Sequence, residues 1–225
     1  MNLFKMEEYQ MRKISVLALF ALFIGCANSP KDFKADALGD NEGVFFGKFS
    51  LYFDGAKFAN TCNLIFTDKA KNEDTVLTTD ESGFFVGKFQ KGDTYLSQIG
   101  CTSGMTTKIY MFEESNTVKF SNVGNGKKTY VGNISTFFSS AEEYSNPAKY
   151  VVGGLFAGAI IADEAKENAK KVRFDIQNDI EADEMQFKAT ILKARPMKTV
   201  FKSLKYPKKN RMPASTATKI IKLNK

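Results

Sequence analysis

GFFVGKFQKGDTYLSQIGC, residues 83–101, holds two short apolar runs, GFFVGKF (83–89) and YLSQIGC (95–101), on either side of the turn signal Lys91-Gly92-Asp93. Phe85 and Phe89 recur at even spacing, as do Tyr95, Ile99 and Cys101. Each set therefore falls on one face of a strand, because side chains alternate across a β-strand. Short alternating runs divided by turn residues are the pattern of a β-sandwich. VFFGKFSLYF (44–53) and TCNLIF (61–66) precede this stretch, and TKIYMF (107–112), TVKFS (117–121) and KTYVGNISTFF (128–138) follow it. Asp54-Gly55, Ser82-Gly83 and Gly124-Asn125-Gly126 divide them, supplying backbone angles that other residues resist. Cys62 shares its face with Leu64 and Phe66, so both Cys62 and Cys101 are expected on core faces. The expected fold is mainly β, an antiparallel sandwich over residues 44–140.

Thr79-Asp80-Glu81-Ser82-Gly83-Phe84-Phe85, followed by Phe89, Gly92 and Tyr95, resembles the T-D-x-x-G-x-F … L-x-x-G-x-Y signature of carboxypeptidase-regulatory-like and collagen-adhesin B-type domains. Gly47-Lys48-Phe49, Asp54-Gly55 and Asn63-Leu64-Ile65-Phe66 fall where that family has its first hairpin. The resemblance covers about residues 47–101, and Tyr95 sits one residue later than in the family. It implies a prealbumin-like sandwich of about seven strands, used as a spacer or binding module and not as a catalyst. Some adhesin-type relatives join a lysine and an asparagine of their first and last strands through an isopeptide bond promoted by a buried acid. Lys48 and Asn133 lie on suitable strands, but no glutamate occupies a matching core position, so both are expected to face solvent.

The chain begins with the three parts of an export signal. Arg12 and Lys13 form a positive end, Ile14 to Ile24 is an unbroken apolar or small run, and Gly25 precedes Cys26. Eleven such residues are too few for a bilayer core, which needs about 20 in a helix. Met11 fits the start of such a signal better than Met1. Phe23-Ile24-Gly25-Cys26 resembles the lipobox of bacterial lipoproteins, with Phe23 where leucine is usual. That resemblance implies cleavage after residue 25 (signal 1–25), lipidation of the Cys26 thiol, and anchoring in the cell envelope. Ala27 after the cysteine favours the outer membrane by the same resemblance. Residues 26–43, polar and broken by Pro30, Gly39 and Gly43, read as a tether lifting the domain off the membrane.

The chain as a whole carries +7, but the charge is divided. From Cys26 to Leu192 there are 18 Lys+Arg against 23 Asp+Glu, a net of −5, whereas Lys193 to Lys225 holds 11 Lys+Arg and no acid. Histidine and tryptophan are absent. That removes Ser-His-Asp and Cys-His catalysis, His-ligated zinc and the commonest neutral-pH base. No catalytic, metal or cofactor-binding residues are assigned, no cofactor is expected, and the chain is read as not an enzyme. Apart from Cys26, Cys62 and Cys101 remain. In an exported domain they fit a disulfide better than two buried thiols, and no C-x-x-C spacing recommends a redox or metal pair.

Residues 141–194 are expected to pack on the sandwich as an apolar segment, a strand and a helix. Tyr150 to Ala162 is apolar or small throughout, with Gly154, Gly158 and Ala162 recurring every four places. Core packing is preferred there to a membrane-dipping helix. Val172, Phe174 and Ile176 alternate as a strand. Asn178 or Asp179 could cap a helix from Ile180 to about Lys193, ended by Pro196. Residues 195–225, with Pro196, Pro207 and Pro213, are expected to be disordered. They form a basic tail that is either solvated, docked on the acidic body, or an arm toward an anionic surface or acidic protein. No nucleic acid partner is expected, being disfavoured by location and not by charge. The overall expectation is an envelope lipoprotein acting as a non-catalytic structural or protein-binding module, with a surface adhesin or small-ligand binder as the alternative.

Overall fold

Strand β1, Glu42–Phe53, is apolar on both faces, with nine of its twelve positions deeply or partly buried hydrophobic or glycine. A strand of that kind needs cover on both sides, and the fold follows from how it is supplied. The computed structural model describes residues 29–34, 38–39, 41–59, 61–122, 124, 126–145, 157–191, 198–201 and 204–224. The export segment, Cys26, the first part of the apolar stretch at 150–156, and residues 192–197 lie outside the described residues.

The remaining strands are β2 (Ala56–Lys57), β3 (Cys62–Asp68), β4 (Asp74–Thr78), β5 (Phe84–Gln90), β6 (Gly92–Ser103), β7 (Thr106–Met111), β8 (Lys119–Asn122), β9 (Lys128–Phe138), β10 (Arg173–Gln177) and β11 (Thr199–Phe201). Among the described residues three helices follow the main run of strands: α1 (Ala157–Ala169), α2 (Ile180–Thr190) and α3 (Ala214–Leu223). One sheet is ordered β10-β9-β1-β2, with β5 also on β1 and β11 also on β9. The other is ordered β4-β3-β6-β7, with β8 also on β6. Their facing sides make a sandwich. Phe45 lies at the centre of its core, stacked on Phe120 with centroids 4.0 Å apart and edge-on to Phe66 at 5.4 Å.

All seven expected strands are present, and the expected 172–176 strand is β10. Three features differ from the sequence reading. First, the larger sheet is mixed: β1 pairs antiparallel with β5 but parallel with β9, and β11 is also parallel to β9. Second, a bulge opposite Ile65/Phe66 makes Ser97 an extra residue on β6, since Ile65 faces Gln98 and Phe66 faces Leu96. A bulge reverses the side-chain alternation, so Leu96 enters the core with Ile99 and Cys101 in place of Tyr95. Third, the first described residues are not a free tether. Pro30 is buried in a 3-10 turn (Pro30–Asp32), and Phe33 and Leu38 pack against the cluster of Val44, Phe46 and Phe84. Two apolar side chains in a polar stretch suffice to lay it on the domain.

Cys62 and Cys101 are directly opposed on β3 and β6 and form a disulfide with a sequence separation of 39. Closing a loop of that length contributes about 3–4 kcal/mol through the unfolded state. Glycine is required at Gly83, which has φ +86° and where a Cβ would lie 2.3 Å from the Phe49 carbonyl oxygen. This close approach is what lets the turn feed Phe84 and Phe85 into β5.

The basic tail is ordered wherever it is described. After β11 it crosses to the second sheet, where Lys119 and Lys205 exchange backbone hydrogen bonds of 2.8 and 3.0 Å and Leu204 enters the inter-sheet core. It then returns to β10. Asn210, fully buried, donates to the Val172 carbonyl at 2.9 Å, and Met212 N–H donates to Phe174 O at 2.9 Å. Finally α3 lies across Tyr52 and Phe137 through Ala217, Ile220 and Ile221. Its C-cap Asn224 bonds the Gly55 carbonyl and the Lys57 amide, both at 2.8 Å. Disorder was expected because apolar residues are sparse. The few present are spaced so that each meets a slot left open by the sandwich, and Pro207 and Pro213 stand just before the 3-10 turn Lys208–Asn210 and α3. A proline costs no hydrogen bond at the start of a helix. Deleting residues 195–225 should therefore abolish cooperative unfolding or cause aggregation. Urea denaturation with size-exclusion chromatography checks this, and an unchanged midpoint would show the tail to be energetically idle.

Candidate functional site

Alternation along β1 sends Val44, Phe46, Lys48 and Tyr52 away from the sandwich core, onto the outer face of the larger sheet, and α2 and α3 cover that face. Under α2 lies a charged cluster. Asp183 is fully buried although it carries a carboxylate. Lys48 Nζ lies 2.8 Å from its Oδ1, and the Tyr130 hydroxyl donates to its Oδ2 at 2.6 Å. Tyr130 in turn accepts the Asp179 amide at 3.1 Å, which fixes the start of α2. The Asp179 side chain makes no capping bond, in contrast to the sequence expectation, and the helix ends at Thr190, short of Lys193. Burial, followed by the bond to Asp183, raises the Tyr130 pKa well above its ordinary value, so the hydroxyl stays a donor.

The next residue, Glu184, accepts from Lys128 Nζ at 2.8 Å and from the Thr199 hydroxyl at 2.8 Å. Lys128 also lies 4.9 Å from the centre of the Phe187 ring. The Lys128 bond, with that of Thr199, holds the Glu184 carboxyl below its usual range. These contacts join β1, β9, α2 and β11 through one set of ions. Asp183 is sealed under the helix that carries it while Glu184 is partly exposed, and both carboxylates are committed to ion pairs that clamp α2 to the sheet.

Lys48 and Asn133 are register partners on the parallel β1–β9 pair. The expectation that both face solvent fails. The Lys48 side chain is 27 % exposed and ion-paired, and the Asn133 Oδ1 is buried without a hydrogen-bond partner. The acid that receives Lys48 is an aspartate from α2, 135 residues further along and outside the sandwich strands.

The second feature is an open groove of about 480 Å³ beside α3. Its floor is the stacked pair Tyr52–Phe137, with centroids 5.1 Å apart and planes 14° apart. Met212 and Ile220 form one wall, while Asp54, Glu142 and Arg173 supply charged groups. Asp54 takes φ +50° after the end of β1 and accepts the Ser140 amide at 2.8 Å. Hydrogen bonds from Ser140 hold its carboxyl below the ordinary carboxylate range. A glycosidase-type pair needs one carboxyl held protonated, whereas Asp54 is pushed the other way and committed to the loop. Asp54 is thus not poised as a general acid.

Of the residues singled out from sequence, the structure brings together Cys62 and Cys101, and Lys48 with Asn133; Cys26 lies outside the described residues. Sequence reading missed Asp183, Tyr130 and the groove. A signal for Asp183 existed, because it precedes Phe187 by four places and so lies on the apolar stripe of α2. Among the described residues no group of three or more acids or cysteines is placed to hold a metal ion, and no helix is long and apolar enough to cross a membrane. No family model, curated protein or solved structure matches this chain.

Tyr130→Phe leaves the buried Asp183 with Lys48 alone and should lower stability by about 1–3 kcal/mol in urea denaturation. Glu184 yields a pH prediction. Its folded pKa is depressed, so its contribution is present above its unfolded value of about 4.3 and is lost as pH falls through the folded value. The stability difference between wild type and Glu184→Gln should be largest near neutral pH and shrink below about pH 4.3. Thermal melts of both proteins across pH 3–7 read this directly, and a constant difference would contradict it.

Proposed function

We propose that this chain is a cell-envelope lipoprotein, anchored in the outer membrane by a lipid on Cys26, whose sandwich is a non-catalytic structural or protein-binding module. The observation that carries the reading is the apolar run Ile14 to Ile24 ending in Gly25-Cys26 behind Arg12 and Lys13. The Cys62–Cys101 disulfide supports an oxidising compartment outside the cytosol. The likeness of Thr79 to Tyr95 to carboxypeptidase-regulatory-like and collagen-adhesin B-type domains supports a module over a catalyst. So does the state of the carboxylates, since Asp183 and Glu184 are spent on holding α2 and Asp54 on holding a loop.

The groove beside α3 favours one alternative, a lipoprotein that captures a small amphipathic ligand against Tyr52 and Phe137. The basic tail remains a candidate contact for an anionic surface or an acidic protein.

Replacing Cys26 with Ser in the full chain, expressed in a Gram-negative host and labelled with a radioactive or clickable fatty acid, tests the anchor. The variant should carry no acyl label and should remain as an unprocessed precursor. Equal labelling and unchanged processing of wild type and variant would end the lipoprotein reading.

A further inference from the structure

The short distance between Cys26 and the folded body has a geometric consequence for orientation. Ser29 is the first described residue, and Pro30 is buried beside it. Phe33 and Leu38 then pack with Val44 and Phe46 on the outer face of the larger sheet, beside α2. Three residue steps from Cys26 to Ser29 span at most about 11 Å. A lipid on Cys26 would thus hold the segment that runs onto that outer face close to the lipid headgroups.

The same face carries side chains suited to such contact. Met185 projects from α2 at 66 % exposure and Leu223 from α3 at 75 %. Phe201 of β11 is 39 % exposed, with its ring 5.8 Å from that of Tyr130, which belongs to the cluster under α2. Lys188 of α2 and Lys219 and Lys222 of α3 are exposed beside them. Asp183 and Glu184 are already paired to Lys48 and Lys128, which leaves Glu181 of α2 exposed, with Asp179 at the N-cap and Asp80 and Glu81 on the turn that Gln186 touches. Apolar side chains ringed by lysines on surface-lying helices are the composition of an interfacial contact.

We propose that the α2/α3 face lies flat against an anionic phospholipid bilayer. Lys188, Lys219 and Lys222 meet lipid phosphates, and Met185, Phe201 and Leu223 enter the boundary between headgroups and acyl chains. The second sheet then faces away from the membrane. The orientation rests on the lipid-anchor reading, but the affinity of the face for anionic lipid does not, so the two can fail separately.

The test uses the chain Ala27–Lys225, which contains every described element and no lipid. Its partition onto vesicles of phosphatidylglycerol and phosphatidylcholine is compared with partition onto phosphatidylcholine alone. At about 1 kcal/mol per basic residue near an anionic surface, Lys188→Gln/Lys219→Gln/Lys222→Gln should weaken binding to the anionic vesicles on the order of a hundredfold. The matched triple on the second sheet's side, Lys69→Gln/Lys71→Gln/Lys119→Gln, should stay within about tenfold of wild type, since those charges lie farther from the bilayer than a Debye length of about 10 Å. Equal losses in the two triples, or no preference of the wild-type chain for anionic vesicles, overturns the proposal. If Cys26→Ser proves the anchor absent while the two triples differ as stated, the lipid-binding face stands and the lipoprotein reading falls. If acylation is found and the triples do not differ, the reverse holds.

Discussion

The parallel ladder between β1 and β9 is the interaction on which the rest depends. β1 is flanked by β5 on one side and β9 on the other, and β9 in turn carries β10 and β11 on its far edge. The partners are remote, since Val44 pairs with Lys128 and Phe53 with Phe138. Pairings of that separation pay a large loop-closure cost before they return any contact energy. The disulfide, the antiparallel hairpins and the phenylalanine core shorten that search by ordering the strands between.

A ladder of this kind also imposes a covering requirement. The inner face of β1 and β9 is satisfied by the second sheet, but Val44, Phe46, Tyr52, Tyr130 and Phe137 face outward and would otherwise meet water. Burying a side chain of that size is worth about 1.5–3 kcal/mol. α2 and α3 provide the cover, and they are attached by different chemistry. α2 is held by apolar packing around a buried aspartate that is ion-paired with a lysine and accepts a hydrogen bond from a tyrosine. α3 is held by a small apolar interface and an asparagine that ties its end to the β1–β2 turn.

The sandwich was legible because its signal is local. Alternation in 44–53, 61–66, 83–89 and 128–138, and turns such as Ser82-Gly83, follow from two-residue periodicity and glycine backbone freedom alone. Parallel pairing of β1 with β9 is a property of two distant segments and leaves no mark within either one. The bulge at Ser97 was hidden for a related reason: one unpaired residue reverses every later side chain, and YLSQIGC reads as alternating in either register. The tail was misread because composition averages over a segment. Leu204, Asn210 and Ala217 are isolated in sequence, yet each is buried against a separate part of the body. Asp183 stands with Glu181 in the first turn of α2, where a favourable dipole interaction alone accounts for acid and hides its burial.

The route of the C-terminal segment, from β9 to β8 and back to β10, bears on the order in which the chain can acquire its shape. A polypeptide threaded N-terminus first through a narrow channel presents β1 early, 84 residues ahead of the partner that meets Val44 and 155 ahead of the strand that meets Lys128 through Thr199. Until those segments emerge, β1 has only its hairpin neighbours; α2 then covers Val44, Phe46 and Tyr130, and α3 covers Tyr52 and Phe137 last. The architecture therefore postpones its own completion. In a chain that emerges in this order, most of the length appears before the pairings that would lock it, and the crossings to β8 and β10 complete the fold late.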